Sequence, residues 1–217
     1  MICVSIGRMT FPRLIRVLST IPFGEIRLDK NTFTIQEVEQ IFAMPFTSIA
    51  TCRPDTHTET ERRQLLLAAI EAGASYIDIS IENGGDFRQP LMAAAREHGC
   101  RVILSHHDYQ STPPLDSLKE IIANCFNQGA DICKIACQVL NQADAARLLS
   151  LYDQPGIPPE SLIALGMGDI GRITRIAGPL LAAPFTYAAF SDGMETAPGQ
   201  LDRVTLSQIF AALGVKK

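Results

Sequence analysis

Several things are scarce in this chain, and each scarcity removes a class of function. The six cysteines, at 3, 52, 100, 125, 133 and 137, form no C-x-x-C pair, and most lie in apolar runs such as "MICVSI" and "DICKIAC". Disulfide frameworks and zinc sites need other spacings and more polar surroundings, so the expectation is buried thiols in a reducing cytoplasm. Basic charge is not in excess. A net charge of −4 gives no overall attraction for nucleic acid or anionic membrane, and any anion must be held by local arginines. Long apolar runs are missing as well. Residues 178–190 form the longest, too short for a bilayer and broken by Pro179 and Pro184, and residues 1–6 lack the basic start and apolar length of a secretory leader. Histidine is rare: there are four, and two of them are adjacent, in "VILSHHDYQSTP".

What is present is a rhythm. Short β-like runs at residues 1–6, 25–28, 47–52, 76–81, 101–106, 132–136, 162–165 and 186–190 alternate with helical patterns, for example 58–73, 114–129 and 141–154. Gly73 and Gly129 stand where helix C-caps are expected, and Pro113–Pro114 stands where a helix can begin. No linker or composition shift divides residues 1–217. Eight β/α units in one domain of this length imply a single (β/α)8 TIM barrel of the α/β class, with an open doubly wound sheet as the alternative. In a barrel the chemistry sits where the strands end.

Those ends are polar. Strand two reads "GEIRLD", so Glu25, Arg27 and Asp29 are expected on one face, where burial demands pairing or a polar ligand. Strand three ends in "TCRP", placing Arg53 at its top, with a planar fork suited to carboxylate or phosphate. Strand six reads "ADICKIAC", with Lys134 flanked by apolar residues. Desolvation lowers a lysine's pKa and leaves the neutral amine that attacks ketones. After strand seven, "GMGDIGRITR" matches G-x-G-x-x-G. That raises a dinucleotide site, but the motif lies far from the first βαβ unit and lacks its downstream acid, so a tight turn presenting Arg175 fits better. The last loop, "SDGMETAPGQ", offers Thr196 and Gln200 and has the composition of a loop that closes over a ligand. Adjacent strand residues face opposite ways, so one metal cannot readily use both His106 and His107, and no further ligands complete a set. Parity groups His107 with small, interior Ser105, which favours His107 as the reactive histidine and His106 as a packed neighbour.

Taken together and in order, "EIRLD", "TCR", "LSHHDYQSTP", "CKIA", "GMGDIGRITRIAG" and "TAPGQ" resemble the type I 3-dehydroquinate dehydratases of the shikimate pathway, nearly end to end. The resemblance implies dehydration of 3-dehydroquinate without a cofactor or metal. Lys134 forms an imine with the C3 ketone and His107 is general base and acid. Arg175 clamps the carboxylate, while Glu25, Arg27, Arg53, Thr196 and Gln200 bind hydroxyls or order the site. It also implies a homodimer. The chain departs from the family pattern twice. After Arg53 it reads "RPDTHTET", with His57 where a Glu is usual, and strand four reads "IDIS", with Ser80 in an acidic position and Glu82 two further on. Glu25 and Glu82 are then the acids left to orient His107. Two rivals share the lysine: an aldolase-like Schiff-base lyase, which on a phosphorylated substrate would use the Gly-rich turn as a phosphate cradle, and a barrel that binds without turnover.

Overall fold

A computed structural model describes residues 1–214. Among them eight strands alternate with helices from β1 (Ile2–Ile6) to α8 (Arg203–Ala212), and the strands hydrogen-bond in the order β7-β6-β5-β4-β3-β2-β1-β8. This alternation and order are those of the (β/α)8 TIM-barrel class. The chain divides into two compact units, one of residues 4–103 and one of residues 1–3 with 104–217.

In the first unit β2 (Phe23–Arg27), β3 (Thr47–Thr51) and β4 (Tyr76–Ser80) are parallel, with Arg27 opposite Thr51 and Thr51 opposite Asp78. Strands covered by helices on one side and filled on the other are apolar on both faces, which is why Ile26, Ile49 and Ile77 are all fully buried. Helix α2 (Ile35–Phe42) and helix α3 (Glu59–Glu71) each begin with a reciprocal capping box, Thr34 with Glu37 and Thr58 with Glu61. Helix α3 is followed by Gly73 at φ +105°, the left-handed stop expected of it. Buried Arg62 joins the elements above β3: it donates to the Cys52 carbonyl (3.0 Å) and Asn83 Oδ1 (3.2 Å), and it lies 4.6 Å over the Phe87 ring.

In the second unit β6 (Ile132–Gln138) and β7 (Leu162–Met167) run parallel with Lys134 opposite Ile163. The first residues of the chain belong here, the Met1 carbonyl accepting from the Thr186 N–H (3.1 Å) beside β8 (Thr186–Ala189). Ala188, Leu206 and Phe210 pack with Ile2, Ile176 and Leu201 to seat α8 (Arg203–Ala212), whose N-cap Asp202 accepts from Val204 and Thr205 N–H.

Two boundaries differ from the sequence pattern in ways that matter for chemistry. Strand β5 (Arg101–Asp108), β6 and β7 each run two residues beyond the apolar pattern, and at the end of β6 polar Gln138 stays in the ladder opposite Met167. His107 is therefore a strand residue. Strand β2, by contrast, stops at Arg27. Leu28–Lys30 form a 3-10 turn, closed by the Asn31 N–H on the Leu28 carbonyl (3.3 Å) and by Asn31 Nδ2 on the Arg27 carbonyl (2.7 Å). Asp29 thus does not share a strand face with Glu25 and Arg27. The turn carries it back onto Arg27 instead.

Candidate active site

In the first unit the strand-end charges neutralise one another. Arg27 donates to both Asp29 oxygens, from Nε (3.0 Å) and Nη2 (2.6 Å). Arg53 Nη2 donates to Asp78 (2.6 Å), whose side chain is 0% exposed. The Glu25 carboxylate accepts from the hydroxyls of Ser5 and Thr51, the latter at 2.9 Å. Burial opposes the Arg27 and Arg53 cations, yet their carboxylate partners more than offset it, so both pKa values lie above the ordinary guanidinium value. Next to Arg53, the Cys52 thiol is pushed up to about 12 by burial and by Asp29, which keeps it protonated and unreactive. His57 bonds through Nδ1 to Thr56 Oγ1 (2.8 Å), and Glu82 accepts from Ser80 Oγ. A cavity of about 720 Å³ opens among Arg8, Lys30, Asp55 and His57.

The second unit is built differently. Lys134 sits inside β6, 6% exposed, in a strand whose other members are apolar or small up to Gln138. Its Nζ lies 4.1 Å from the centre of the Tyr187 ring on β8, and Tyr187 is braced edge-on by Phe185 at 5.5 Å. His107 is half-buried near the end of β5 and stacks on Tyr109, with centroids 6.0 Å apart and planes 18° from parallel. Exposure does not separate the two histidines, since His106 is half-buried too. Asp108 folds back in an Asx turn, accepting from the N–H groups of Gln110 and Ser111. Burial alone would raise its pKa, but these bonds, with the nearby His106, hold it below the ordinary value.

Arg175 lies on α7 (Arg172–Leu180) and is 2% exposed. Its hydrogen bond goes to the Pro198 carbonyl (3.3 Å), its Nε has no partner, and no carboxylate among the described residues pairs with it. Burial alone pulls its pKa down to about 10. A buried guanidinium held by a carbonyl has the donors to take an anion with two oxygens.

The Gly-rich turn explains how Arg175 is presented. A Cβ on Gly166 would sit 2.6 Å from Gly171 Cα, and one on Gly171 would sit 2.4 Å from the Gly166 carbonyl carbon. These glycines let β7 and α7 meet backbone to backbone, sealed by Thr174 Oγ1, which accepts from the Gly166 N–H and donates to the Gly171 carbonyl. Gly199, at φ +77°, lies so close to Gly168 that a Cβ there would stand 2.5 Å from the Gly168 oxygen. The motif is therefore filled by the last loop, which argues against a dinucleotide or phosphate cradle. The loop is also tied internally, Gln200 Oε1 accepting from the Thr196 N–H (2.8 Å) and hydroxyl (3.2 Å).

Lys134, Arg175, Thr196, Gln200 and His107 thus fall in one unit, and Glu25, Arg27 and Arg53 in the other. The sequence pattern missed Tyr187, Tyr109 and Asp78. Tyr109 had a signal, since it lies two residues beyond His107 on the same strand parity. Tyr187 had none, because nothing local links it to Lys134.

Fold and site together define a (β/α)8-barrel enzyme with a buried lysine, a strand-end histidine and a buried, carboxylate-free arginine. Comparison with known proteins makes the class specific. The family model for type I 3-dehydroquinase matches residues 13–217. The 3-dehydroquinate dehydratase of Desulfotalea psychrophila is 34% identical over 222 residues, covering 97% of this chain and 96% of the relative. That of Thermococcus gammatolerans is 36% identical over 155 residues, 71% of this chain and 68% of the relative. Among solved structures, the type I 3-dehydroquinate dehydratase of Clostridium difficile superposes with a TM-score of 0.84 at 22% identity, covering 98% and 91% of the two chains. The chain belongs to the type I 3-dehydroquinase family, whose members are hydro-lyases.

Proposed function

We propose that this protein converts 3-dehydroquinate to 3-dehydroshikimate through an imine on Lys134, with His107 moving the protons. The observation that carries the reading is Lys134 itself, an almost fully buried lysine at mid-strand in an apolar run. Its neutral amine attacks the C3 carbonyl carbon, and the carbinolamine takes up a proton on its hydroxyl and loses water to leave a protonated imine. That cation is an electron sink. When His107 takes the C2 proton, the C–H electron pair moves toward nitrogen and an enamine forms. The pair then returns and the C1 hydroxyl leaves as water, taking its proton from His107. Hydrolysis of the imine releases product and restores the amine. Imidazole both accepts and donates a proton, so one histidine can serve in both directions.

Arg175 is the proposed clamp for the substrate carboxylate, which would supply the counter-charge that the protein withholds. Thr196 and Gln200 are proposed to hold substrate from the last loop, and Glu25, Arg27 and Arg53 to bind its hydroxyls or order the site. The aldolase-like alternative on a phosphorylated substrate loses its phosphate cradle, because Gly199 occupies the backbone of the Gly-rich turn. All six cysteines are free and buried, which supports a cytoplasmic setting.

The test is reduction with borohydride in the presence of 3-dehydroquinate, with the adduct mapped by mass spectrometry and enone formation followed by absorbance. An adduct on Lys134 together with enone is expected. Adduct without enone means a binding barrel, and neither signal from folded protein overturns the reading. His107→Ala should still trap the adduct while turnover falls by at least about a hundredfold. Near-normal turnover in that variant would remove His107 from its role.

A further inference from the structure

Tyr187 has no part in the scheme above, yet its ring is in van der Waals contact with the atom that does the chemistry. The Lys134 Nζ stands 4.1 Å from the ring centre, both residues are buried, and Phe185 meets Tyr187 at 65° so that its face stays turned toward the nitrogen. An aromatic face carries negative quadrupolar potential and attracts a cation within about 6 Å, the more so when water is excluded. We propose that Tyr187 is a further catalytic residue, its ring face stabilising the protonated imine formed on Lys134. This rests on the reading of Lys134 as the imine-forming amine.

The chemistry favours the imine over the resting ammonium. An ammonium has three N–H donors and can replace a lost ring contact with hydrogen bonds. The protonated imine, C=N⁺H–, keeps a single N–H, and its flat, delocalised charge is matched to a flat π surface. Loss of the ring therefore costs the imine more than the amine. The carbinolamine is neutral at carbon and oxygen, so its dehydration, which creates the cationic C=N⁺ bond as water departs, gains the ring's attraction in full. The ring acts on charge at nitrogen and requires no proton from the phenol.

The experiment measures the rate of borohydride-trapped adduct on Lys134 at saturating 3-dehydroquinate, in folded protein checked by circular dichroism. Tyr187→Phe keeps the face and should trap within about twofold of wild type, whereas Tyr187→Leu removes it and should trap about tenfold more slowly, as expected for a desolvated cation–π contact. Should Tyr187→Leu fail to fold, phenylalanine analogues at 187 with one, two and three ring fluorines hold the shape and weaken the face stepwise. Trapping should then fall with each fluorine. Trapping unchanged in Tyr187→Leu or across the fluorine series overturns the proposal, as does a loss in Tyr187→Phe as large as that in Tyr187→Leu. Absence of any Lys134 adduct in wild type overturns the imine reading itself, a result distinct from an adduct that forms but ignores residue 187.

Discussion

Arg27 and Arg53 of the first unit and Arg175 of the second hold buried positive charge in opposite ways. At the strand ends of the first, Arg27 has Asp29 and Arg53 has Asp78, and the pairing lifts both guanidinium pKa values. In the second, Arg175 is buried against a carbonyl with no carboxylate partner among the described residues, and its pKa falls to about 10. A charge paired within the fold is settled before substrate arrives, so it can only orient hydroxyls or hold other side chains. A charge left without its counter-ion costs stability and recovers it when an anion binds. By this measure the proposed scheme draws order from the first unit and its reacting charges from the second.

The same substitution in the two units should have opposite signs. Arg53→Met removes the buried cation that pairs with the Asp78 carboxylate and should destabilise the protein by about 3–5 kcal/mol, read from denaturant unfolding. Adding Asp78→Leu should return much of that loss, because the uncompensated charge is then gone. A mild effect of the single change would mean that the pair is wet or replaceable, and the contrast between the units would collapse.

Arg175→Met should instead stabilise the ligand-free protein, by about 1–3 kcal/mol, while abolishing carboxylate-dependent binding. The pH dependence has a definite sign. Arg175 is held at about 10 in the folded protein and at the higher, ordinary guanidinium value when unfolded, so between these values the unfolded chain binds more protons. Wild type should therefore gain stability as pH climbs through that window, and the variant should not. Loss of stability in Arg175→Met comparable to that in Arg53→Met would show that Arg175 has a counter-charge after all.

The smallest effect provides a baseline away from both charge sets. Asp202→Ala removes the α8 cap and should lower stability at pH 7 by about 1 kcal/mol. The Asp202 pKa is depressed, chiefly by the Thr205 hydroxyl and N–H. Its contribution is thus full above the ordinary aspartate value and fades as pH falls through the folded one, so wild type and variant should converge in thermal melts near pH 2–3. A gap that persists there would assign the loss to packing instead of the cap.

Much of this was legible in the chain. The period of two against the period of the helices, the Gly73 stop and the Pro113–Pro114 start are local signals, and local backbone preference sets them. The unusual position of Lys134 could be read because charge inside an apolar strand is costly wherever that strand ends up. Strand ends were less legible, because a polar residue at the mouth of a barrel remains in the ladder although its side chain breaks the apolar pattern. The apolar pattern therefore ends before His107 and Gln138, although both lie in strands, and the alternation runs on through Asp29, although the chain has already turned there.

From sequence alone came the eight-unit alternation and the candidate lysine, histidine and arginines. Only the tertiary structure decided that Arg175 meets a carbonyl and not a carboxylate, that Gly199 fills the Gly-rich turn, and that an aromatic face lies against Lys134. Periodicity and propensity act over a few residues. Charge compensation and close packing depend on which distant segments the fold brings together, and no short window of the chain contains that information.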